Sequence, residues 1–258
     1  MSVIVALILG LVQGLTEFLP VSSSGHLVLF QQIFGINVDC LFFDIVVHLG
    51  TLVAVVVVYH KSILGIIKNP FGEKGQKLIF ATLPTVIIAL LFKDFFAKSF
   101  DGGLLFVGFF VTAIFMFIAN YCCKNNYQYK SLNHGNAVIM GIFQGIAILP
   151  GISRSGSTIA SAMVQGVRRS ESAEFSFLMS IPAILGSLVF ELIEMPSAAL
   201  TISPLSLVVG FFASAVSGYL AIKLMLKVIK KAKFLWFGIY MLILAVFVLL
   251  NKYVLFLF

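Results

Sequence analysis

Charge is scarce in this chain: Asp, Glu, Lys and Arg make up 10% of its 258 residues, against 60% that are hydrophobic. A soluble domain carries about 25% charged side chains, so a water-exposed globule is excluded. Acids are rarer still, ten against 17 Lys and Arg, for a formal net charge of +7. That excess does not point to nucleic acid. The basic residues lie in short segments between apolar runs, the distribution that orients a membrane protein. Arginine is nearly absent, with only Arg154, Arg168 and Arg169. Cysteine is limited to Cys40, Cys122 and Cys123, too few and wrongly spaced for a disulfide framework or a zinc site. All three read as small apolar packers. The first apolar run has no Lys or Arg before it and no small-residue cleavage site, and is expected to belong to the mature fold rather than to a leader.

What the chain has in abundance is long apolar runs, helical in length rather than barrel-like. Six spans are expected near 41–60, 78–96, 104–123, 172–193, 204–224 and 234–256. Two further segments differ. Residues 2–19 with 24–35, and 135–149 with 155–166, each read as an apolar helix, a Pro- and Ser-rich turn and a short second helix. An irregular turn at membrane depth is tolerated only when protein buries it, so both are expected to be re-entrant. The fold class is an all-α polytopic membrane protein with six transmembrane helices plus two re-entrant helical hairpins.

The basic loops orient it. Loops 61–77 (Lys61, Lys68, Lys74, Lys77), 124–134 (Lys124, Lys130) and 225–233 (Lys227, Lys230, Lys231, Lys233) are expected in the cytoplasm, and loops 97–103 and 194–203 outside. Both termini then lie outside, and the hairpins enter from opposite faces, as in an inverted repeat. A shift of 131 residues supports this. It matches Gly10, Gln13, Gly14, Ser22, Ser24 and Gly25 with Gly141, Gln144, Gly145, Ser153, Ser155 and Gly156. The first repeat covers about 1–123 and the second about 134–258. Each opens with Gly-x-x-x-Gly, which permits close helix approach. Interrupted helices in corresponding positions of two halves point to a site near the midplane.

The turns carry the chemistry. In the first, Gln13 and Glu17 share a helix face, Pro20 stops the helix, Ser22-Ser23-Ser24-Gly25 forms a turn and His26 follows. The second reads Pro150-Gly-Ile-Ser-Arg-Ser-Gly-Ser-Thr158, with Ile148 in place of the acid and Arg154 opposite Ser23. Polar groups inside a membrane are costly and usually functional. Arg154 suits bidentate phosphate recognition, aided by a helix N-terminus and the Ser153, Ser155, Ser157 and Thr158 hydroxyls. Glu17 with the Gln13 amide oxygen suits a hard divalent cation. Serine beside histidine suits nucleophilic attack on phosphorus with a proton shuttle.

Blander readings stand beside these. Glu17 would be a structural acid paired with a lysine, His26 a satisfied core imidazole, Arg154 a staple on carbonyls, and many of the serines turn formers. Asp44 and His48 read as a buried structural pair slightly more readily than as part of the site. His60 and His134 read as interfacial, and Gln144 as a packing or hydrogen-bonding residue.

Gln13-x-x-x-Glu17 followed by Pro20-x-Ser-Ser-Ser-Gly-His26, together with Pro150-Gly-Ile-Ser-Arg-Ser-Gly-Ser-Thr158, closely resembles the two signatures of the undecaprenyl-pyrophosphate phosphatases of the bacitracin-resistance family. The resemblance covers essentially the whole chain. It implies hydrolysis of the terminal phosphate of undecaprenyl pyrophosphate in the bacterial plasma membrane, with Mg2+ or Ca2+ as cofactor. It also implies Ser23 as nucleophile, His26 as its base or acid and Arg154 as the phosphate clamp; the residue chemistry adds Glu17 as catalytic group and, with Gln13, metal ligand, and Ser153, Ser155, Thr158 and Ser22 on the phosphates. The family allows Glu or Gln at position 13, so here Glu17 bears the motif's negative charge alone. Attack by His26 instead of Ser23 stays open, although a serine three residues before His26 on a tight turn is expected to reach its ring. The site is expected to open outward. A homodimer is compatible with the pattern, and a nucleic-acid partner is not expected. The rival reading is an inverted-repeat transporter or flippase of a polyprenyl phosphate, with Glu17 and His26 as a proton relay.

Overall fold

The structure, a computed structural model, describes residues 1–36, 40–124, 130–194, 202–231 and 234–257. Among them regular structure is helical apart from one isolated bridge, Lys130 to Val167. The order is α1 (Val3–Phe18), α2 (Ser23–Ile33), α3 (Leu41–Lys68), α4 (Glu73–Leu91), α5 (Lys93–Ser99), α6 (Leu105–Lys124), α7 (His134–Ile146), α8 (Arg154–Val164), α9 (Arg169–Glu194), α10 (Pro204–Lys230) and α11 (Leu235–Leu250), ending in a π-helical turn, Asn251–Leu255. Six spans, α3, α4, α6, α9, α10 and α11 continued through its π-helical turn (Leu235–Leu255), are long and apolar enough to cross a membrane.

The other long segments are too short to cross. At 1.5 Å per residue, the 16 residues of α1, 13 of α7 and 11 each of α2 and α8 span about 16 to 24 Å, below the ~30 Å of a bilayer core. The second helices of the two pairs start alike. Ser22 Oγ accepts from the Gly25 N–H at 3.3 Å, and Ser153 Oγ from the Gly156 N–H at 3.0 Å. Each is an N-cap satisfying one of the four orphan donors of a helix start.

The pairing of helices crosses between the halves. α1 lies along α10 and α7 along α4, while α3 also packs on α10 and α6 on α11. Small residues allow the close crossings. A Cβ on Gly14 would collide with the Ser217 side chain and the Ser214 carbonyl, and one on Gly141 with the Ala81 carbonyl. Behind the turns, Phe18, Met116, Ile159, Phe177 and Ile222 form one buried cluster drawn from α1, α6, α8, α9 and α10.

Several expected boundaries move. The first long span does not stop at residue 60: α3 continues to Lys68, and Lys74 and Lys77 already ride on α4. The expected loop 61–77 shrinks to a link from Asn69 to Gly72. Lysine is a good helix former, its aliphatic stem lies along apolar surface, and a continued helix keeps every backbone group paired. For the same reason Lys227 and Lys230 sit on α10. His60 is therefore inside α3, beside a kink at Tyr59 (φ −107°, ψ 19°), rather than at a span end. The short α5 was not foreseen. Cys40 and Cys122 are buried, as expected. Lys233, segments 125–129 and 195–201, and the side chains of Cys123, Lys124 and Glu194 lie outside the described residues.

Candidate functional site

The last two turns of α1 place Gln13 and Glu17 on its buried face, and Pro20 follows the end of the helix. The chain reverses through Ser22, whose φ of 64° and ψ of 95° are unusual for a residue with a Cβ. Such a conformation costs on the order of 1–3 kcal/mol and persists only when neighbours over-determine it. They do so here. The Ser22 carbonyl accepts from His26 Nδ1–H at 2.7 Å, and its hydroxyl caps α2.

The second turn meets the first. Ser155 Oγ donates to the Leu19 carbonyl at 3.0 Å, and Arg154 Nη2 donates to Glu17 Oε1 at 2.5 Å. A Cβ on Gly25 would sit 2.9 Å from Gly151 Cα. Gly151 itself holds φ +91°, with the Leu105 carbonyl crowding the place where a side chain would start. α6 brackets both turns. Phe109 packs edge-on against His26. Thr112 Oγ1 accepts from the Ser153 N–H at 2.8 Å and donates to the Gly151 carbonyl at 2.8 Å.

Glu17 is the centre. Its side chain is 4% exposed and that of Arg154 18%. Ser23 Oγ donates to Glu17 Oε2, Gln13 Nε2 donates to the same oxygen at 3.0 Å, and His48 Nε2 stands 4.0 Å from it. Two buried atoms here have no hydrogen-bond partner among the described residues: Gln13 Oε1, an acceptor, and Arg154 Nη1, a donor. A free acceptor beside a carboxylate suits a cation, and a free guanidinium N–H suits a phosphate oxygen.

The expected residues divide. Gln13, Glu17, Ser23 and Arg154 come together. Ser23 does not reach the His26 ring, because Nδ1 is taken by the Ser22 carbonyl and Nε2 lies 2.7 Å from the Tyr240 hydroxyl; Glu17 takes the serine hydroxyl instead. Ser22, Ser153, Ser155 and Thr158 all have protein partners. Thr158 Oγ1, fully buried, lies 2.6 Å from Ser176 Oγ, and Ser153 serves as a cap. Asp44 and His48 do not form a side-chain pair. Gln31 Nε2 donates to Asp44, while His48 Nδ1–H donates to the Asp44 carbonyl at 2.6 Å and points Nε2 at Glu17. Gln144 packs as expected, its Nε2 donating to Thr85 Oγ1 at 3.3 Å. Tyr240, Thr112 and Ser176 were missed. The signal for Tyr240 is a phenol inside an otherwise apolar span, where its hydroxyl needs a partner.

Among the described residues no group of three or more His, Cys, Asp or Glu side chains forms an all-protein metal cage. Mg2+ does not require one, since it commonly takes one or two carboxylates and completes its shell with substrate phosphates and water. Glu17 and the free Gln13 oxygen fit that donor set.

The family model for bacitracin resistance protein BacA matches residues 6–247. The chain is 47% identical over 248 residues to an undecaprenyl-diphosphatase of Carboxydothermus hydrogenoformans, covering 95% of each chain. It is 39% identical over 258 residues to one of Halothermothrix orenii, covering 97% of this chain and 98% of that one. It is 40% identical over 238 residues to undecaprenyl-diphosphatase 3 of Bacillus cereus, covering 91% and 92%. With two signature turns meeting at Glu17 and Arg154, and a match running nearly end to end, the chain belongs to the BacA bacitracin-resistance family.

Proposed function

We propose that this protein is a membrane phosphatase that hydrolyses undecaprenyl pyrophosphate to undecaprenyl phosphate and inorganic phosphate, and thereby confers bacitracin resistance. One observation carries the reading: Glu17 holds the Ser23 hydroxyl with one oxygen and the Arg154 guanidinium with the other. A hydroxyl with a carboxylate to take its proton, beside a fork of donors, is an arrangement for phosphoryl transfer.

Arg154 Nη1 binds an oxygen of the terminal phosphate and holds it over Ser23. Ser23 Oγ attacks phosphorus and its proton passes to Glu17. The phosphoanhydride bond breaks and undecaprenyl phosphate leaves. Water then attacks the serine phosphate, inorganic phosphate leaves, and Glu17 returns its proton to the serine oxygen, restoring both the hydroxyl and the carboxylate. Ser23 is preferred to His26 as nucleophile because both nitrogens of His26 are already engaged. Gln13 Oε1 and Glu17 would hold Mg2+ or Ca2+, which when bound neutralises charge on the phosphate oxygens. In this reading α1–α2 and α7–α8 are re-entrant hairpins of an inverted repeat, entering a bacterial plasma membrane from opposite faces. The site opens outward, and the polyprenyl tail lies among the apolar helices.

The exchange of helix partners between the halves, α1 on α10 and α7 on α4, also favours a second reading, transport of a polyprenyl phosphate. Phosphate release by the purified protein in detergent separates the two, since transport requires a sealed membrane and hydrolysis does not. Metal-dependent release from undecaprenyl pyrophosphate, lost in Arg154→Ala, is expected. No release in detergent with Mg2+ or Ca2+ present would overturn the phosphatase reading.

A further inference from the structure

His26 joins the first turn to the last helix. A carbonyl oxygen only accepts, so the 2.7 Å bond to Ser22 places a proton on Nδ1. The neutral ring then has one lone pair, on Nε2, and the Tyr240 hydroxyl 2.7 Å away donates to it. The imidazole is 3% exposed, lies nearly parallel to the Tyr240 ring (interplanar angle 15°, centroids 5.8 Å apart), and is closed on another side by Phe109. Nothing on it is left to take a proton from Ser23. What it holds is the strained peptide of Ser22, one residue before the hydroxyl that Glu17 grips.

We propose that Tyr240 is a positioning residue: it fixes the tautomer and plane of His26, so that His26 pins the Ser22 carbonyl and keeps Ser23 on Glu17. This rests on the assignment of Ser23 as nucleophile. The two ring nitrogens act as the ends of a brace between α11 and the turn. Without the hydroxyl, Nε2 loses its donor in a water-poor site. The proton then has less reason to stay on Nδ1, and the Nε2–H tautomer would turn a lone pair toward the Ser22 carbonyl. A nucleophile displaced by about 1 Å loses on the order of 100-fold in rate, while groups that bind the phosphates are untouched.

Tyr240→Phe keeps the ring and removes the hydroxyl. In the purified protein kcat for phosphate release is expected to fall about 10- to 100-fold with KM nearly unchanged. In spectra of protein with 15N-labelled histidine, the His26 Nε2 resonance, assigned by its loss in His26→Gln, is expected to move. Tyr240→Gln, whose amide N–H can donate in the hydroxyl's place, is expected to recover part of kcat relative to Tyr240→Phe. An unchanged kcat, or a fall in kcat with the His26 resonance unmoved, would overturn the proposal. So would an unmodified protein whose His26 carries its proton on Nε2, a measurement that needs no variant. If Ser23→Ala retains activity, the nucleophile assignment fails instead, and the His26 resonance still reports on the brace.

Discussion

Glu17 and Arg154 stand 137 residues apart in the chain and form an ion pair across the junction of two turns. The carboxylate is almost wholly out of water and keeps its charge company with Ser23, Gln13 and His48. Removing one partner of a buried pair leaves an uncompensated charge and typically costs about 3–5 kcal/mol. Arg154→Ala is therefore expected to lose both stability and activity, the latter by about 100- to 1,000-fold, the scale of losing one preorganised donor on a transition state. Arg154→Lys should recover little activity, because an ammonium cannot grip Glu17 and a phosphate with separate N–H groups of one plane. The double variant Glu17→Gln with Arg154→Ala should be more stable than either loss summed, as expected for contacting residues. Thermal midpoints in detergent alongside phosphate release check both halves of this expectation.

The free oxygen of Gln13 makes a separate prediction. Gln13→Glu adds a second carboxylate beside Glu17. Two like charges repel when no cation lies between them, so the metal-free variant should be less stable than the parent. With metal present, the pair should bind more tightly, so half-maximal phosphate release should need less Mg2+. Gln13→Leu removes the oxygen and should raise that requirement. Titration of activity with Mg2+ after chelation measures all three.

Gly14 tests how the site is held. It allows α1 to lie directly on α10 at Ser214, Ser217 and Gly218, one helical turn from Glu17. Gly14→Val forces the helices apart and should lower the thermal midpoint sharply, with an overpacking cost of about 1–3 kcal/mol or more. Gly65 on α3 has open space where a Cβ would go. Gly65→Ala should stay within about 0.5 kcal/mol of the parent. Equal effects at the two glycines would show that the close crossing does not govern stability.

How much of this was written in the sequence depends on the kind of interaction. Gln13, Glu17, Ser23 and Arg154 were legible because polar groups in apolar helices are costly, so each demands a reason. The number of spans followed from hydropathy. The ends of spans did not, because hydropathy falls where lysines begin, whereas α3 and α10 run on through Lys68 and Lys230. The serines misled for another reason. A hydroxyl near a turn fits a phosphate and a helix cap equally well, and Ser22, Ser153 and Thr158 have protein partners. Tyr240 lies 214 residues from His26. No local pattern announces that contact, and only the packing of α11 on α6 brings it about.

Orientation gives the last prediction. Lys74, Lys77 and Arg168 line a cavity of about 460 Å³ together with Glu73, Glu171 and Glu174, at the end of the bundle where α3 finishes and α4 and α9 begin. Lys61 and Lys68 are on the last turns of the same α3. Lysine and arginine are retained on the cytoplasmic side of a membrane far more than acids are excluded from it, so this end should face inward. Asp101, exposed between α5 and α6, should then face outward with the mouth of the first hairpin. In a background with Cys40, Cys122 and Cys123 replaced, Asp101→Cys should react with a membrane-impermeant maleimide on intact cells. Lys74→Cys, whose parent side chain is 65% exposed, should react only after permeabilisation. The reverse pattern would invert the protein in its membrane and place the entry of Glu17 and Ser23 on the cytoplasmic face.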